Sequence, residues 1–330
     1  MKKIGFLFIS IFVILAQSKI AFAQIGSTQL TQKLPVLNGR AFLRLPANAT
    51  NVVWAASIMS TNPNKNQETR FVLDFDKMRL IFYAQELYKI SNGDFYSEVI
   101  ADKSLINSKK QVLENGQGFL SVLCSPLVID TAQRSIVLNT LLVKTKDNTV
   151  FRIDAYINPP ALKEKNEFIA LSKKVFESLQ NGTRLTNRNA RNETVKIFGT
   201  KRSFQLFIPK DYAVTVDAKY DFQVIRYHKY VDYRDTSLID FIIYTGYHPW
   251  VDYERYGFEE TSSKNIDGIF LNDKISWMTF YDPQKNIFLK EQKIPSDRIA
   301  EGLIVHIGIA ANKKEVIEEQ TKIVEAIRLK

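Results

Sequence analysis

Apolar and polar positions alternate in short runs along most of this chain, and the runs come in pairs. Arg40 to Pro46 carries Phe42, Leu43 and Leu45, and Arg202 to Pro209 carries Phe204, Leu206 and Ile208. Each is a brief alternation ended by proline, the pattern of a half-buried strand running into a turn. Later in each half comes a stronger alternation. Phe151, Ile153, Ala155 and Ile157 form one, and Leu303, Val305, Ile307 and Ile309 the other. Each is followed by a polar gap and then by helical spacing. Phe168, Ile169, Val175 and Phe176 in the first half stand in step with Val316, Ile317, Ile323 and Val324 in the second, and apolar residues at those offsets share one helical face.

The interiors read as strand-rich. Phe71–Phe75 and Val137–Val143 are strand candidates in the first half, while Lys77–Lys89 has Met78, Leu80, Ile81, Tyr83 and Leu87 at the spacing of a short helix. In the second half Phe222–Tyr230 and Leu238–Tyr244 pair as a hairpin around the polar stretch Val231–Ser237. Phe280–Phe288 is the tip of another, with Asp282-Pro283 opening the turn. Antiparallel strands followed by one closing helix predict an α+β class. The expectation is two tandem similar domains, each an antiparallel sheet with packed helices and a C-terminal closing helix. The boundaries fall at 39–182 and 197–330. Residues 24–38 read as a flexible tail and 183–196 as a polar linker, both lacking periodicity.

The first 23 residues change the picture of compartment. Met1-Lys2-Lys3 precedes an apolar run from Ile4 to Ala16, and Ala21-Phe22-Ala23 places small residues where a signal peptidase accepts them. The run is shorter than the ~20 residues that span a bilayer. An exported protein, periplasmic or extracellular, is expected, with no transmembrane segment. Of 330 residues, less those 23, 307 remain. Loss of Lys2, Lys3 and Lys19 takes the formal charge from +10 to +7. Both signs are interspersed, so a solvated surface accounts for the charge, with contact to an anionic surface as the functional alternative. Export excludes nucleic acid as the expected partner. Cys124 is the only cysteine, so no internal disulfide forms. It lies in the apolar, strand-like run Phe119–Pro126, where a buried inert thiol is expected.

The entry strand ending in proline (Phe204 to Pro209, and more weakly Phe42 to Pro46), the closing strand and the closing helix ending Ile323 to Leu329 together resemble the PsbP-like and Mog-type α/β sandwich family. The resemblance covers most of each half and rests on pattern and order. It implies a binding and assembly fold rather than an enzyme, and carries over no site residue.

Candidate chemistry is sparse. The three histidines, His228, His248 and His306, show no ligand spacing, and Asp74 and Asp76 lack the glycine and distant glutamate of a calcium loop. Neither a metal nor a cofactor is expected, and no nucleophile elbow or phosphate loop is present. One segment stands apart. From Tyr244 to Gly257 the chain gathers Tyr247, His248, Trp250, Asp252, Tyr253 and Tyr256 in a loop-like stretch. Aromatic faces beside carboxylate and imidazole suit a glycan, a small ligand or a protein partner. The same rings would equally plug the end of a sheet. Asp252 and Glu254 could be imagined as an acid/base pair. The reading is an exported non-catalytic binding or scaffold protein of the bacterial envelope or extracellular space. The alternatives are a hydrolytic enzyme with a carboxylate site between the domains, or a basic surface-attached matrix protein.

Overall fold

A computed structural model describes residues 29–47, 50–56, 68–75, 78–113, 119–131, 134–157, 165–219, 221–249 and 251–330. The chain divides into two units. The first runs to Leu185, apart from short segments (Tyr88–Ile90 among them) that group with the second, Thr186–Lys330.

In the first unit β1 (Leu30–Val36), β2 (Ala41–Pro46) and β10 (Gln180–Asn181) form a narrow ribbon in the order β1-β2-β10. The larger sheet is built from β3 (Thr50–Ala56), β4 (Glu68–Phe75), β5 (Met78–Ile90), β6 (Lys109–Leu113), β7 (Leu120–Thr131), β8 (Arg134–Lys144) and β9 (Thr149–Ile157). Its order is β3-β4-β5-β9-β8-β7-β6. Helix α1 (Phe95–Ile100) lies between β5 and β6 in the chain, and α2 (Lys165–Glu177) between β9 and β10.

The second unit repeats this plan. Its ribbon is β11 (Arg191–Lys196), β12 (Ser203–Ile208) and β21 (Arg328–Leu329), in the order β11-β12-β21. Its sheet comprises β13 (Tyr212–Lys219), β14 (Phe222–Lys229), β16 (Ile239–Gly246), β17 (Lys264–Phe270), β18 (Asp273–Asp282), β19 (Ile287–Pro295) and β20 (Ile304–Ala311). The order is β13-β14-β16-β20-β19-β18-β17, with the two-residue β15 (Val231–Asp232) lying between β14 and β16 in the chain. Helix α3 (Asp252–Arg255) falls between β16 and β17, and α4 (Lys314–Glu325) between β20 and β21. Strand for strand the two orders are the same.

In each unit the ribbon, the long helix and one sheet face bury a single apolar core. Leu43, Phe82, Leu141, Ile153, Phe168 and Phe176 are among its members in the first, and Leu206, Phe241, Trp277, Ile307, Ile317 and Val324 in the second. The inward positions of the two helices and of the turn after each keep step. Phe168, Ser172, Val175, Phe176 and Leu179 are buried in one, and Val316, Gln320, Ile323, Val324 and Ile327 in the other.

The expected helix-packed α+β class is corrected. The protein is mostly β, with twenty-one strands against four α-helices among the described residues, and only α2 and α4 exceed six residues. Lys77–Lys89 is the clearest instance. From Met78 on it is strand β5, with Leu80, Phe82, Ala84 and Glu86 buried in a period of two and Ile81 buried between the first two. The apolar side chains between them gave the same run an apparent helical spacing. One long helix per unit suffices for the core because ribbon residues cover part of the same face. The expected tail and linker also contain strands. Leu30–Val36 pairs with β2, and Arg191–Lys196 with β12. A narrow ribbon turns one side to solvent, and Val195 is the sole buried residue of β11, so little apolar pattern marks it. Residues 1–28, including the expected signal peptide, lie outside the described residues, as does Asp76.

Gln320 is fully buried at the helix–sheet contact, and neither of its amide atoms has a partner among the described residues. Replacing an unsatisfied buried amide by an apolar group of similar shape removes a desolvation penalty of about 1–3 kcal/mol. Gln320→Leu is therefore expected to raise the thermal midpoint. A lowered midpoint would show that the amide is satisfied in solution.

Candidate functional site

The aromatic segment lies against the sheet face that α4 does not cover. Alternation along β18, β19 and β20 sends Phe280, Leu289 and Ala310 to this face, where Tyr253, Tyr256 and Phe258 pack on them. Tyr253 stacks on Phe280 at a ring separation of 5.5 Å, and Phe258 meets the same ring at 5.2 Å. The Tyr256 hydroxyl donates to Asp240 Oδ2 at 2.9 Å, and Arg255 reaches the same oxygen at 3.0 Å.

A sealed polar cluster beneath the segment anchors it. Helix α3 has only four residues, and Val251 before it supplies no side-chain cap. The cap comes from the neighbouring sheet. Glu291 Oε1 accepts from the Asp252 backbone N–H at 2.9 Å, and Oε2 from that of Tyr253 at 2.8 Å. These are orphan donors of a helix start, and a carboxylate facing them gains from charge-assisted hydrogen bonding. His306 Nε2 lies 2.8 Å from the same Glu291 Oε1, which assigns its proton to that nitrogen. Glu291 and His306 are both 0 % exposed, and Asp252 3 %. Asp252 fits only because residue 308 is glycine, since a Cβ there would collide with Asp252 Oδ2.

The two acids are shifted in opposite directions. Burial pushes the Asp252 carboxyl above its ordinary value, His306 opposes this, and the Glu291 charge adds to it. Burial would also raise Glu291. The hydrogen bonds from His306, Asp252 and Tyr253 outweigh it and hold that carboxyl below its ordinary value. Two carboxylates and an imidazole have the ingredients of acid/base catalysis, but solvent does not reach them, and the Glu291 oxygens are already engaged. Their effect is to pin the segment.

The six sequence-predicted residues therefore separate. Tyr247, 44 % exposed, and His248 face solvent, with the His248 backbone N–H held at 3.3 Å by the Tyr244 hydroxyl. Asp252 is sealed, and Tyr253 and Tyr256 are half-buried. Trp250 lies outside the described residues. Glu254, the imagined partner of Asp252, is exposed. His306 lies on the face of β20 opposite Val305 and Ile307, fully buried under the segment. Cys124 is buried, and burial raises its thiol above its ordinary value.

Sequence reasoning missed Glu291, His306 and Gly308 as partners of the segment. It also missed a groove on the helix-side face of the same sheet. There a cavity of about 440 Å³ opens between the first turns of α4 and strands β17–β19. Its lining includes Lys264, Lys290 and Lys314 beside Ile266, Phe288 and Ile317. Among the described residues no cluster of three or more His, Cys, Asp or Glu side chains could hold a metal ion, and no helix is long and apolar enough to cross a membrane. Compared with protein families, curated proteins and solved structures, the chain matches none.

Gly308→Ala is expected to cost roughly 1–3 kcal/mol by overpacking. In an Asp252→Ala background it should cost much less, because the colliding carboxylate is gone. Additive losses in a double-mutant cycle of thermal or urea unfolding would refute the contact.

The pH dependence follows from the two shifts. Glu291 titrates lower in the folded state, so its contribution is present above its ordinary 4.5 and is lost as pH falls through the folded value. Asp252 titrates higher in the folded state, so its contribution is present below 3.8 and is lost as pH rises through the folded value. Asp252→Asn should remove that second loss. The variant's thermal midpoint is expected to gain on the parent as pH rises from 3.8 toward neutrality. Parallel midpoint profiles would contradict it.

Proposed function

We propose that this chain is an exported, non-catalytic binding protein of the bacterial envelope or extracellular space, and that the groove of its second unit receives the ligand. The carrying observation is the contrast between the two faces of one sheet. On one face Asp252, Glu291 and His306 are buried and closed to solvent, with Glu291 bonded to His306 and to the Asp252 backbone N–H. On the other, lysines and apolar side chains line a solvent-open cavity within the roughly 300–1,000 Å³ typical of small-molecule sites. Export rests on the N-terminal pattern from Met1 to Ala23. The reading keeps the binding and assembly role attached to the PsbP-like resemblance without its helix-packed architecture. The hydrolase alternative gains nothing from Asp252 and Glu254, one sealed and the other on the surface.

A ligand that binds only the native state stabilises it, by about 2.7 kcal/mol at a hundredfold excess over Kd. Fractions of envelope extract and culture fluid should therefore contain at least one that raises the thermal midpoint of the mature protein. The Ser262→Trp variant, which fills the groove from an exposed rim position, should not respond to that fraction. Turnover of a component, or equal stabilisation of parent and variant, would overturn the reading.

A further inference from the structure

The groove has a chemical polarity that points to its ligand. Its apolar wall is ordered. Phe288 stacks with Tyr281 at 4.4 Å between ring centres, and Ile266 is 50 % and Tyr281 52 % exposed. Apolar side chains this open, lying together on strands β17–β19, leave area that an apolar ligand would cover.

The charged lining is unbalanced, with three lysines against Glu318. Lys314 is paired with Glu318 at 3.8 Å one turn along α4. Lys264 and Lys290 have no ion-pair partner among the described residues. Lys290 is the telling group. It is half-buried, and its ammonium donates to Thr321 Oγ1 at 3.2 Å, while the Thr321 hydroxyl donates to the Ile317 carbonyl. An ammonium has three donors, so two remain for a ligand. Burial lowers its pKa, opposed by the more distant Glu325 and Glu318. A desolvated cation with spare donors is stabilised by an anion that enters the groove.

We propose that the groove binds an amphipathic organic anion. Its carboxylate or phosphate head sits between Lys290 and Lys264, and its apolar body lies along Ile266, Phe288 and Ile317. The assignment rests on the binding-protein reading above and gives it a ligand class. An inorganic anion would leave the apolar wall uncovered, and a neutral amphiphile would leave Lys290 unpaired.

The test is calorimetric titration of the full secreted chain with decanoate, decyl phosphate, decanol and inorganic phosphate, below the micelle concentration of each amphiphile. Vesicles of anionic phospholipid form a separate arm. Decanoate or decyl phosphate should bind, and decanol and inorganic phosphate at least about tenfold more weakly, the worth of one charge-assisted hydrogen bond. Lys290→Met, which keeps the apolar stem, and Ile266→Glu, at an exposed strand position, should each weaken the anionic amphiphile by a similar factor. Lys264→Met provides an independent variant should Lys290→Met unfold. Equal binding of decanol, equal binding of inorganic phosphate, or unchanged affinity in the folded variants would each overturn the proposal. So would vesicle binding that survives the substitutions, since that reports only the net positive charge. If no amphiphile binds while an extract fraction still stabilises the parent and not Ser262→Trp, the ligand class is wrong and the binding reading stands.

Discussion

The seating of one strand holds each sheet together. In the second unit β13, β14 and β16 form one antiparallel set and β17, β18 and β19 another, and the two sets share no hydrogen-bonded neighbour except β20. Strand β20 pairs along its length with β16 on one side and β19 on the other. A strand in that place is covered on both faces, and seven of its eight residues are buried. It therefore has to be small or apolar almost throughout, as Val305, Ile307, Gly308, Ile309, Ala310 and Ala311 are. In the first unit β9 has the same place between β5 and β8. The long helix follows directly in both, so the segment that closes the sheet also delivers its cover.

The two units share a frame and differ in the polar groups placed within it. In the second, the central strands carry Glu291 and His306, which hold α3. In the first, the equivalent strands β8 and β9 carry Thr140 and Asp154, joined at 2.7 Å, with the Arg152 guanidinium on the same Asp154 oxygen. Beneath the first long helix Asn139 bonds to Ser172, whereas the residue in step with Ser172 is Gln320, which has no partner among the described residues. A buried carboxylate is costly unless its oxygens are hydrogen-bonded, and Glu291 in one unit and Asp154 in the other meet that cost with different local donors. The shared strand order thus sets where a polar group can be placed, and the local partners decide what it does.

Legibility in the sequence followed the number of buried faces. Strands β2, β12, β9 and β20 were readable because they bury a face or two in the main core, which leaves period-two or continuous apolar runs. The hairpins β14–β16 and β18–β19 were readable from their polar turns. Ribbon strands β1 and β11 were not, because they bury little and are written in polar residues. Strand β5 was misread as a helix because both of its faces carry apolar residues, Leu80, Phe82 and Ala84 on one and Ile81 and Tyr83 on the other. At the site the aromatic segment was visible as local composition. Its anchors were not, because Glu291 and His306 are ordinary residues until strand register sets them side by side. The groove was invisible for the same reason, since Lys264, Lys290 and Lys314 meet only through the fold.

That groove follows from the geometry of covering a sheet. Seven strands spaced ~4.8 Å apart span about 29 Å, and a helix with its side chains is ~10–12 Å across. Helix α4, packed on β17, β19 and β20, cannot cover the face alone. In the core the remaining area is filled by ribbon residues such as Phe204, Leu206 and Ile208. At the N-terminal turns of α4, beside β18 and β19, Tyr281 is left open to solvent next to Phe288. The far face had the same deficit, and there the aromatic segment makes it good, with Tyr253 and Phe258 laid over Phe280. On the helix side the apolar area that the chain does not cover itself is bordered by Lys264 and Lys290. An uncovered apolar strip, edged by cations that have no ion-pair partner among the described residues, is unfavourable when empty, and a ligand that is apolar along its length and anionic at one end removes both deficits at once.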